Sequence, residues 1–503
     1  MLSKAYSYGL LGLDAYRITI EIDLTRGLPA TVIVGLPDSA VKESRERVRS
    51  AIKNSGYPYA KGRVTINLSP ADIKKEGPSF DLAIALGILS ANGMVKPDTL
   101  EEYVVLGELS LDGNVQPVRG ILPIALSEDI RSFKGMICPT ANAQEAALAQ
   151  KINVIPVKSL AEAVKLLADP GNIRPFCLSV DERAPKMETD LDFSDVKGQW
   201  HVKRGLEIAA AGMHNCLMIG PPGVGKSMLA KRLPTILPDM ALDEALETTK
   251  IYSVTGHNAK SGLIQTRPFR APHHTTSAAA IVGGGTYPKP GEVTLSHNGV
   301  LFLDEFPEFN RSGLESLRQP LEDHVVTISR ANKSLQFPCR FLLIAAMNPS
   351  PNGGWDDPEI STYAMQRYLA KLSRPLLDRI DLHLDVPDLK SVDLLEGQAG
   401  ESSSAIKMRT SRARDIQRHR LKDAGCSCNA YMNHKQIREF CRTSHDGRLL
   451  LSRAIKELNL SARAYDKVLK ISRTIADLEA QERILPEHVA EAIQYRTLDR
   501  KWY

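Results

Sequence analysis

The stretch CLMIGPPGVGKSMLAKRL, residues 216–233, restricts the possible folds of this chain more than any other segment. Its first four residues are apolar and have the character of a buried strand. Gly220, four further residues, Gly225, Lys226 and Ser227 follow, and a helical sequence comes after them. This strand–loop–helix order is the context that a phosphate-binding loop requires. We therefore predict an α/β region that binds a nucleotide through its phosphates.

The residue types in this loop indicate their chemical roles. Glycines allow backbone N–H groups to turn towards phosphate oxygens, and the start of the following helix adds a favourable field for an anion. Lys226 is predicted to reach the β- and γ-phosphates, and the Ser227 hydroxyl to bind Mg²⁺. The predicted nucleotide-binding residues are Gly220, Pro221, Pro222, Gly223, Val224, Gly225, Lys226 and Ser227.

An acidic pair follows a second apolar run, in GVLFLDEF, residues 299–306. The end of a strand there can place Asp304 near Mg²⁺, directly or through water. Glu305 can then orient the attacking water or take a proton from it. Two acids after an apolar run often mark only a strand end, but their place after a P-loop favours a catalytic pair.

Length and composition set broader limits. A chain of 503 residues is expected to form two or three domains. It has no apolar run of about 18 residues, which argues against a membrane span, and its seven scattered cysteines favour a reducing cytoplasm. The formal net charge is +5, yet residues 401–503 contain 21 Lys and Arg against 13 Asp and Glu. That excess fits either an anionic polymer or a solvated helical surface.

Local patterns divide the chain into regions. Alternation in ITIEIDL and VTINL predicts strands in the first region, and Pro-rich or polar stretches mark two connectors. We predict an α/β domain at 1–170, a linker at 171–195, an α/β core at 196–388, a connector at 389–405 and a helical domain at 406–503.

The order of the P-loop, LFLDEF, LLIAAMNPS and RPLLDRID resembles the AAA+ ATPases of the magnesium-chelatase-like branch. RPFRAPHHTTS, GEVTLSHNGVLFLDEFPEF and SARAYDKVLKISRTIADL are similar to the YifB/ComM family, over essentially the whole chain. The resemblance implies an α/β fold class: an N-terminal Lon-protease-like α/β domain, an AAA+ P-loop core and a C-terminal helical lid. It also implies ATP and Mg²⁺ as cofactors and a homohexameric ring.

The same resemblance implies three further catalytic residues. Asn348 matches the polar sensor that positions the attacking water. Arg379 matches the arginine finger that reaches a neighbouring subunit's nucleotide, and Arg463 matches the second sensor on the lid. Each has a structural alternative: Asn348 as a turn residue, Arg379 as a partner of a neighbouring aspartate, and Arg463 as cover for a helix surface.

The first region contains EGPSFDL, which resembles the nucleophile segment of Lon-type proteases, with Ser79 in the nucleophile's place. Where that pattern has a lysine base, this chain has Leu122. A hydroxyl without an adjacent base is a poor nucleophile at neutral pH. We therefore expect a non-catalytic domain in which Ser79 caps the helix that begins near Phe80.

Three segments bear on the substrate. VVTISRANKSLQF predicts a β-hairpin with a basic tip, and by resemblance to related helicases Lys333 and then Arg330 are candidate DNA contacts. An ordinary surface hairpin is the alternative. Residues 406–422 contain seven Lys or Arg and one Asp, which fits either phosphate contact or a solvated helix. His273 and His274 are expected to have structural or phosphate-facing roles rather than to bind a metal.

Three functions remain open. The first, implied by ComM-type relatives, is an ATP-driven DNA helicase for branch migration, with single-stranded or branched DNA and recombination proteins as partners. The second is a magnesium-chelatase-like remodelling ATPase. The third, an ATP-dependent protease, is disfavoured by Leu122.

Overall fold

The computed structural model describes residues 2–178, 190–256, 262–285, 288–330, 333–351, 362–388, 400–458 and 461–496. The chain divides into two compact units. Unit 1 comprises Met1–Pro185 with Leu242–Ile264, and unit 2 comprises Lys186–Ala241 with Gln265–Tyr503. No helix among these residues is both long and apolar enough to cross a membrane.

Unit 1 is built on a mixed seven-stranded sheet in the order β3-β4-β2-β1-β5-β8-β9. The antiparallel pairs are β1 with β2 and β2 with β4, and the remaining neighbours are parallel. The strands of unit 1 are β1 Leu2–Leu11, β2 Asp14–Thr25, β3 Ala30–Val34, β4 Arg63–Ser69, β5 Tyr103–Val105, β6 Glu108–Leu109, β7 Val115–Gln116, β8 Gly135–Pro139 and β9 Val154–Val157. The two alternating segments noted in the sequence lie in β2 and β4, as predicted.

The helices of the first segment of unit 1 are α1 Ser39–Asn54, α2 Asp81–Ala91, α3 Pro97–Glu101, α4 Ile121–Ala125, α5 Ala143–Ala147 and α6 Leu160–Ala168. Every residue of α2 is buried, as expected of an apolar helix inside a core. Asp81, at its first turn, accepts a hydrogen bond from the Arg47 Nε at 2.8 Å, which pairs this buried carboxylate.

The P-loop strand lies in the five-stranded sheet of unit 2, in the order β11-β14-β17-β10-β18. All neighbouring strands of this sheet are parallel. The strands of unit 2 are β10 Cys216–Ile219, β11 Phe269–Arg270, β12 Gly283–Gly284, β13 Lys289–Pro290, β14 Val300–Leu303, β15 Val325–Arg330, β16 Lys333–Pro338, β17 Leu342–Met347 and β18 Leu382–Asp385. β10, β14 and β17 are fully buried, which explains their unbroken apolar sequences.

Fourteen further helices follow in the described chain: α7 Trp200–Gly212, α8 Lys226–Arg232, α9 Leu242–Thr255, α10 Ala278–Val282, α11 Glu292–Leu295, α12 Arg311–Ser316, α13 Arg318–Asp323, α14 Thr362–Leu369, α15 Arg374–Leu377, α16 Ser403–Leu421, α17 His434–Phe440, α18 His445–Leu458, α19 Ala462–Leu478 and α20 Pro486–Gln494. The last five form the helical region that the sequence predicts. Ser461 caps α19 by accepting a hydrogen bond from the Ala464 N–H at 3.2 Å, as expected.

One helix departs from the predicted domain ranges. α9 lies within the range 196–388 that the sequence assigns to the P-loop core, but it packs within unit 1. The Gly120 N–H donates to the Ser253 carbonyl at 3.1 Å, and Lys250 lies 3.7 Å from the Asp14 carboxylate. Unit 1 is therefore assembled from two separate stretches of the chain.

The basic segment 406–422 forms most of α16, and most of its basic side chains bind to other groups within unit 2. Arg414 is buried and donates to the carbonyls of Ala210 and Ala211 in α7 at 3.0–3.1 Å. Arg420 makes two hydrogen bonds of 2.7 Å to Asp477 in α19. These contacts favour a role in packing for this helix over phosphate contact.

Candidate functional site

The P-loop connects the end of β10 to α8, and its glycines are required for two different reasons. A Cβ at Gly220 would lie 2.2 Å from the Val386 carbonyl oxygen, so the neighbouring chain leaves no space for a side chain. Gly223 and Gly225 have φ of +84° and +91°, a backbone conformation that residues with a Cβ atom rarely adopt. The sequence prediction of a strand–loop–helix unit is confirmed here.

Lys226 is buried, and its ammonium points back into the loop. It donates to the carbonyls of Gly220 at 2.5 Å and Pro221 at 2.7 Å, and to the Asn348 Oδ1 at 3.0 Å. Burial lowers the pKa of this amine, and the nearby Asp304 carboxylate opposes that shift. The ammonium is thus held between the P-loop and the end of β17.

Ser227 and Asp304 meet across the ends of two strands. The Ser227 hydroxyl donates to the Asp304 Oδ2 at 2.5 Å, and Asp304 directly follows β14. The other carboxylate oxygen accepts the Glu305 N–H at 3.0 Å. A hydroxyl and a carboxylate are oxygen ligands of the kind that Mg²⁺ prefers, so the pair fits the predicted metal site.

Asn348 directly follows β17, the strand that lies between β14 and the P-loop strand β10 in the sheet. Its side chain accepts a hydrogen bond from Lys226, so it lies beside the P-loop rather than serving only as a turn residue. Its backbone carbonyl accepts the Tyr368 hydroxyl at 3.1 Å. Burial raises the pKa of that tyrosine to about 12, so the hydroxyl remains a donor. Tyr368 thereby anchors the strand end, a contact that the sequence did not reveal.

Glu305 has an exposed side chain and a backbone φ of +51°, in the left-handed region. Its Oε2 lies 2.9 Å from the Nδ1 of His274. His274 follows β11, which pairs with β14, so the sheet brings the two residues together. His274 therefore contacts the predicted catalytic base, and its expected structural or phosphate-facing role stays a prediction. The signal in the sequence was the paired histidines, but the strand order needed to interpret it was missing.

The two predicted arginines, Arg379 and Arg463, lie at the amino ends of the strands, opposite the P-loop. Asn215 immediately precedes β10, and its side-chain amide donates to the Arg379 carbonyl at 3.3 Å, whereas the P-loop begins at the far end of the same strand. Four strand residues at about 3.3 Å each separate the two ends. Arg379 therefore lies at the amino end of β10, away from the P-loop of its own chain.

Arg463 is at this same edge. Lys467, one turn further along α19, donates to the Ile380 carbonyl at 2.9 Å. Both arginines contact one carboxylate, that of Glu322 in α13: Nη2 of Arg379 binds its Oε2, and Nη2 of Arg463 lies 3.4 Å from its Oε1. The alternative partners of Arg379 are the neighbouring Asp378 and Asp381, and the carboxylate of Asp381 contacts Lys467 and His214.

The Ser79 region of unit 1 has a different character. Ser79 is half-buried, and Leu122 is fully buried in α4. The prediction that Ser79 caps a helix is wrong: α2 begins after Phe80, and no side chain caps it. The ammonium of the buried Lys75 donates to the Ile73 carbonyl at 2.7 Å.

The predicted hairpin is confirmed in its backbone. β15 and β16 are antiparallel, and Arg330 is opposite Lys333 in the register. The two residues between them, and the side chains of Arg330 and Lys333, lie outside the described part of the chain. The hairpin follows α13 after a single residue, His324, whose ring packs against Tyr431 at a centroid distance of 4.3 Å.

Three family models match the chain. Residues 192–394 match magnesium chelatase subunit ChlI, residues 20–142 match subunit ChlI of Mg-chelatase, and residues 400–496 match the C-terminal region of that subunit. These matches fall on the core, on unit 1 and on the helical region.

Full-length relatives are similar to the chain throughout. Competence protein ComM of Haemophilus influenzae is 44% identical over 99% of this chain and 98% of its own length. YifB of Escherichia coli is 42% identical over the same shares. Lon protease 2 of Bacillus subtilis is 31% identical over 29% of this chain and 26% of its own length, a partial likeness. The chain belongs to the YifB/ComM family of magnesium-chelatase-like proteins.

Proposed function

We propose that this protein is an ATP-driven homohexameric motor that acts on single-stranded or branched DNA in the cytoplasm. The observation that carries the proposal is the division of the predicted catalytic groups between two edges of one sheet. Four of the predicted residues meet at the carboxyl ends of the parallel strands: Lys226, Ser227, Asp304 and Asn348. Arg379 lies at the opposite, amino ends of these strands. A complete hydrolysis site then requires Arg379 from a neighbouring subunit, whose amino strand ends would face the P-loop.

The described residues suggest how ATP would be cleaved. Lys226 would bind the β- and γ-phosphates, and Mg²⁺ held by Ser227 and Asp304 would neutralise their charge. Glu305 would accept a proton from the attacking water, and Asn348 would orient that water. The neighbour's Arg379 and Arg463 would offset the charge that develops on the phosphoryl oxygens, because a fixed guanidinium stabilises such a transition state.

The DNA part of the proposal has two supports. A relative similar over the full length is named a competence protein, and the hairpin would present Lys333 and Arg330 to an anionic strand. Since much of the basic charge of α16 is bound within unit 2, the hairpin is the better candidate contact. We propose branch migration during recombination as the process, with recombination proteins as possible partners.

The test is ATP hydrolysis and mass measured together. We expect the purified protein to hydrolyse ATP, to form a hexamer with an ATP analogue, and to hydrolyse faster with single-stranded or branched DNA at low salt. Strand displacement on a forked substrate should need both ATP and Lys333. A hexamer that hydrolyses ATP but shows no DNA binding and no strand displacement would refute the DNA proposal.

The magnesium-chelatase matches favour one other candidate, an ATPase that remodels a protein partner. In that case ATP hydrolysis would respond to a protein partner and not to DNA. Comparing the response of the ATPase to DNA and to a cell extract treated with nuclease separates the two candidates.

A further inference from the structure

Glu322 connects the two arginines that the proposed mechanism assigns to a neighbour's nucleotide. Its two carboxylate oxygens are divided between them, one to Arg379 and one to Arg463. The Arg379 side chain is 13% exposed, and that of Arg463 is 58% exposed. Glu322 is in α13, Arg379 is in the turn that follows α15, and Arg463 is in α19, so one carboxylate contacts three parts of unit 2.

A carboxylate and a terminal phosphate attract the same guanidinium groups. Both present oxygens with negative charge that accept N–H donors, often in pairs. An arginine that is paired with Glu322 must weaken that contact before it can bind a phosphate fully. In the proposed ring, Glu322 would therefore compete with the nucleotide of a neighbouring subunit for both arginines.

Glu322 also lies close to the hairpin in the chain. It is the penultimate residue of α13, and β15 begins three residues later at Val325. His324 between them has a φ of +57° and is packed against Tyr431 of the helical region. Glu322 therefore makes its contacts from the last helical turn before the hairpin.

We propose that Glu322 is a positioning residue that restrains Arg379 and Arg463 and that couples their release to the DNA-contacting hairpin. The inference rests on the proposed function. In the wild type, DNA on the hairpin weakens the Glu322 contacts and frees the arginines for the neighbour's nucleotide. DNA-free hydrolysis is slow because the arginines are restrained.

The test compares Glu322→Gln with wild type in DNA-free and DNA-stimulated ATP hydrolysis. Because the Glu322 side chain is 48% exposed, solvent weakens its ion pairs, and we expect the DNA-free kcat to rise by about two- to fivefold, with KM for ATP unchanged. The rate with DNA should equal the wild-type rate, so the stimulation factor should fall by the same amount. Glu322→Asp, which keeps the charge, should retain most of the stimulation.

Glu401→Gln is the matched control. The Glu401 side chain is 40% exposed, against 48% for Glu322, and its carboxylate pairs with a different arginine, Arg409. We expect both rates of this variant to equal those of wild type. A DNA-free rate of Glu322→Gln at or below that of wild type would overturn the proposal.

A double-variant comparison separates this inference from the proposed function. If Glu322 acts through the arginine, Glu322→Gln should produce no increase in an Arg379→Ala background, and an increase there would contradict the inference. If wild type shows no response to DNA, the DNA proposal fails, whereas the DNA-free comparison still tests the restraint of the arginines.

Discussion

The Ser79 region and the P-loop both follow a strand and lead into a helix, but they differ in what surrounds their reactive groups. At the P-loop, Lys226 and Ser227 at the start of α8 contact Asn348 and Asp304, which directly follow β17 and β14. In unit 1, the sequence position expected for a base holds the buried Leu122, and the Ser79 hydroxyl does not cap the next helix. A motif therefore indicates chemistry only where its partner residues are present.

Lys226→Ala tests whether the P-loop binds nucleotide, and it is expected to have the largest effect of the substitutions proposed. Its ammonium joins the P-loop to Asn348, and it is the cation predicted to bind the phosphates. We expect ATP hydrolysis to fall by at least about a hundredfold because nucleotide binding is lost. Binding of a fluorescent ATP analogue measures the loss directly. A variant that still binds the analogue with wild-type affinity would contradict the assignment.

Glu305→Gln separates binding from hydrolysis. The amide keeps the shape of the side chain but cannot accept a proton, so the rate should fall by about a hundredfold or more. ATP affinity should stay near that of wild type. The measurement is single-turnover hydrolysis beside equilibrium ATP binding. Hydrolysis at close to the wild-type rate would remove Glu305 from the mechanism.

His274→Ala is expected to have a smaller effect, because His274 acts through Glu305. Loss of this polar contact with the carboxylate should lower kcat by about three- to tenfold and leave KM unchanged. In a Glu305→Gln background the same substitution should cause no further loss. His273 packs against His274 at a ring-centroid distance of 4.1 Å, so the control is His434→Ala, which removes a different histidine–carboxylate pair and should hydrolyse ATP at the wild-type rate. An additional loss in the double variant would show that His274 acts independently of Glu305.

Ser79→Ala should have the smallest effect. Ser79 does not cap α2, so we expect the free energy of unfolding to change by less than about 0.5 kcal/mol. ATP hydrolysis should be unchanged. Neither the variant nor wild type should cleave casein. Casein cleavage by wild type that is lost in the variant would mean that unit 1 is a protease after all.

The features predicted best from sequence depend on residues close together in the chain. The P-loop, the hairpin and the Ser461 cap are local, and turn chemistry or periodicity determines them. Asn348 and Asp304 could be placed because parallel strands end at one edge of a sheet.

The features that the sequence could not reveal depend on distant segments. The contact of His274 with Glu305 requires β11 to lie beside β14, and the Glu322 contacts require α13, α19 and the turn after α15 to meet. The packing of α9 in unit 1 also joins residues far apart in sequence. From the sequence, the basic residues of α16 could have contacted DNA. Their hydrogen-bond acceptors, such as the Ala210 carbonyl and Asp477, lie in distant segments that the sequence does not connect to them.

The central claim, that each hydrolysis site is completed by a neighbouring subunit, can be tested by mixing two inactive variants. Glu305→Gln lacks the base at the carboxyl edge, and Arg379→Ala lacks the arginine at the amino edge. Mixed rings contain some boundaries at which an intact Glu305 meets an intact Arg379, so ATP hydrolysis by the mixture should exceed the sum of the two separate variants. A mixture that assembles into hexamers yet hydrolyses ATP no faster than that sum would contradict the account.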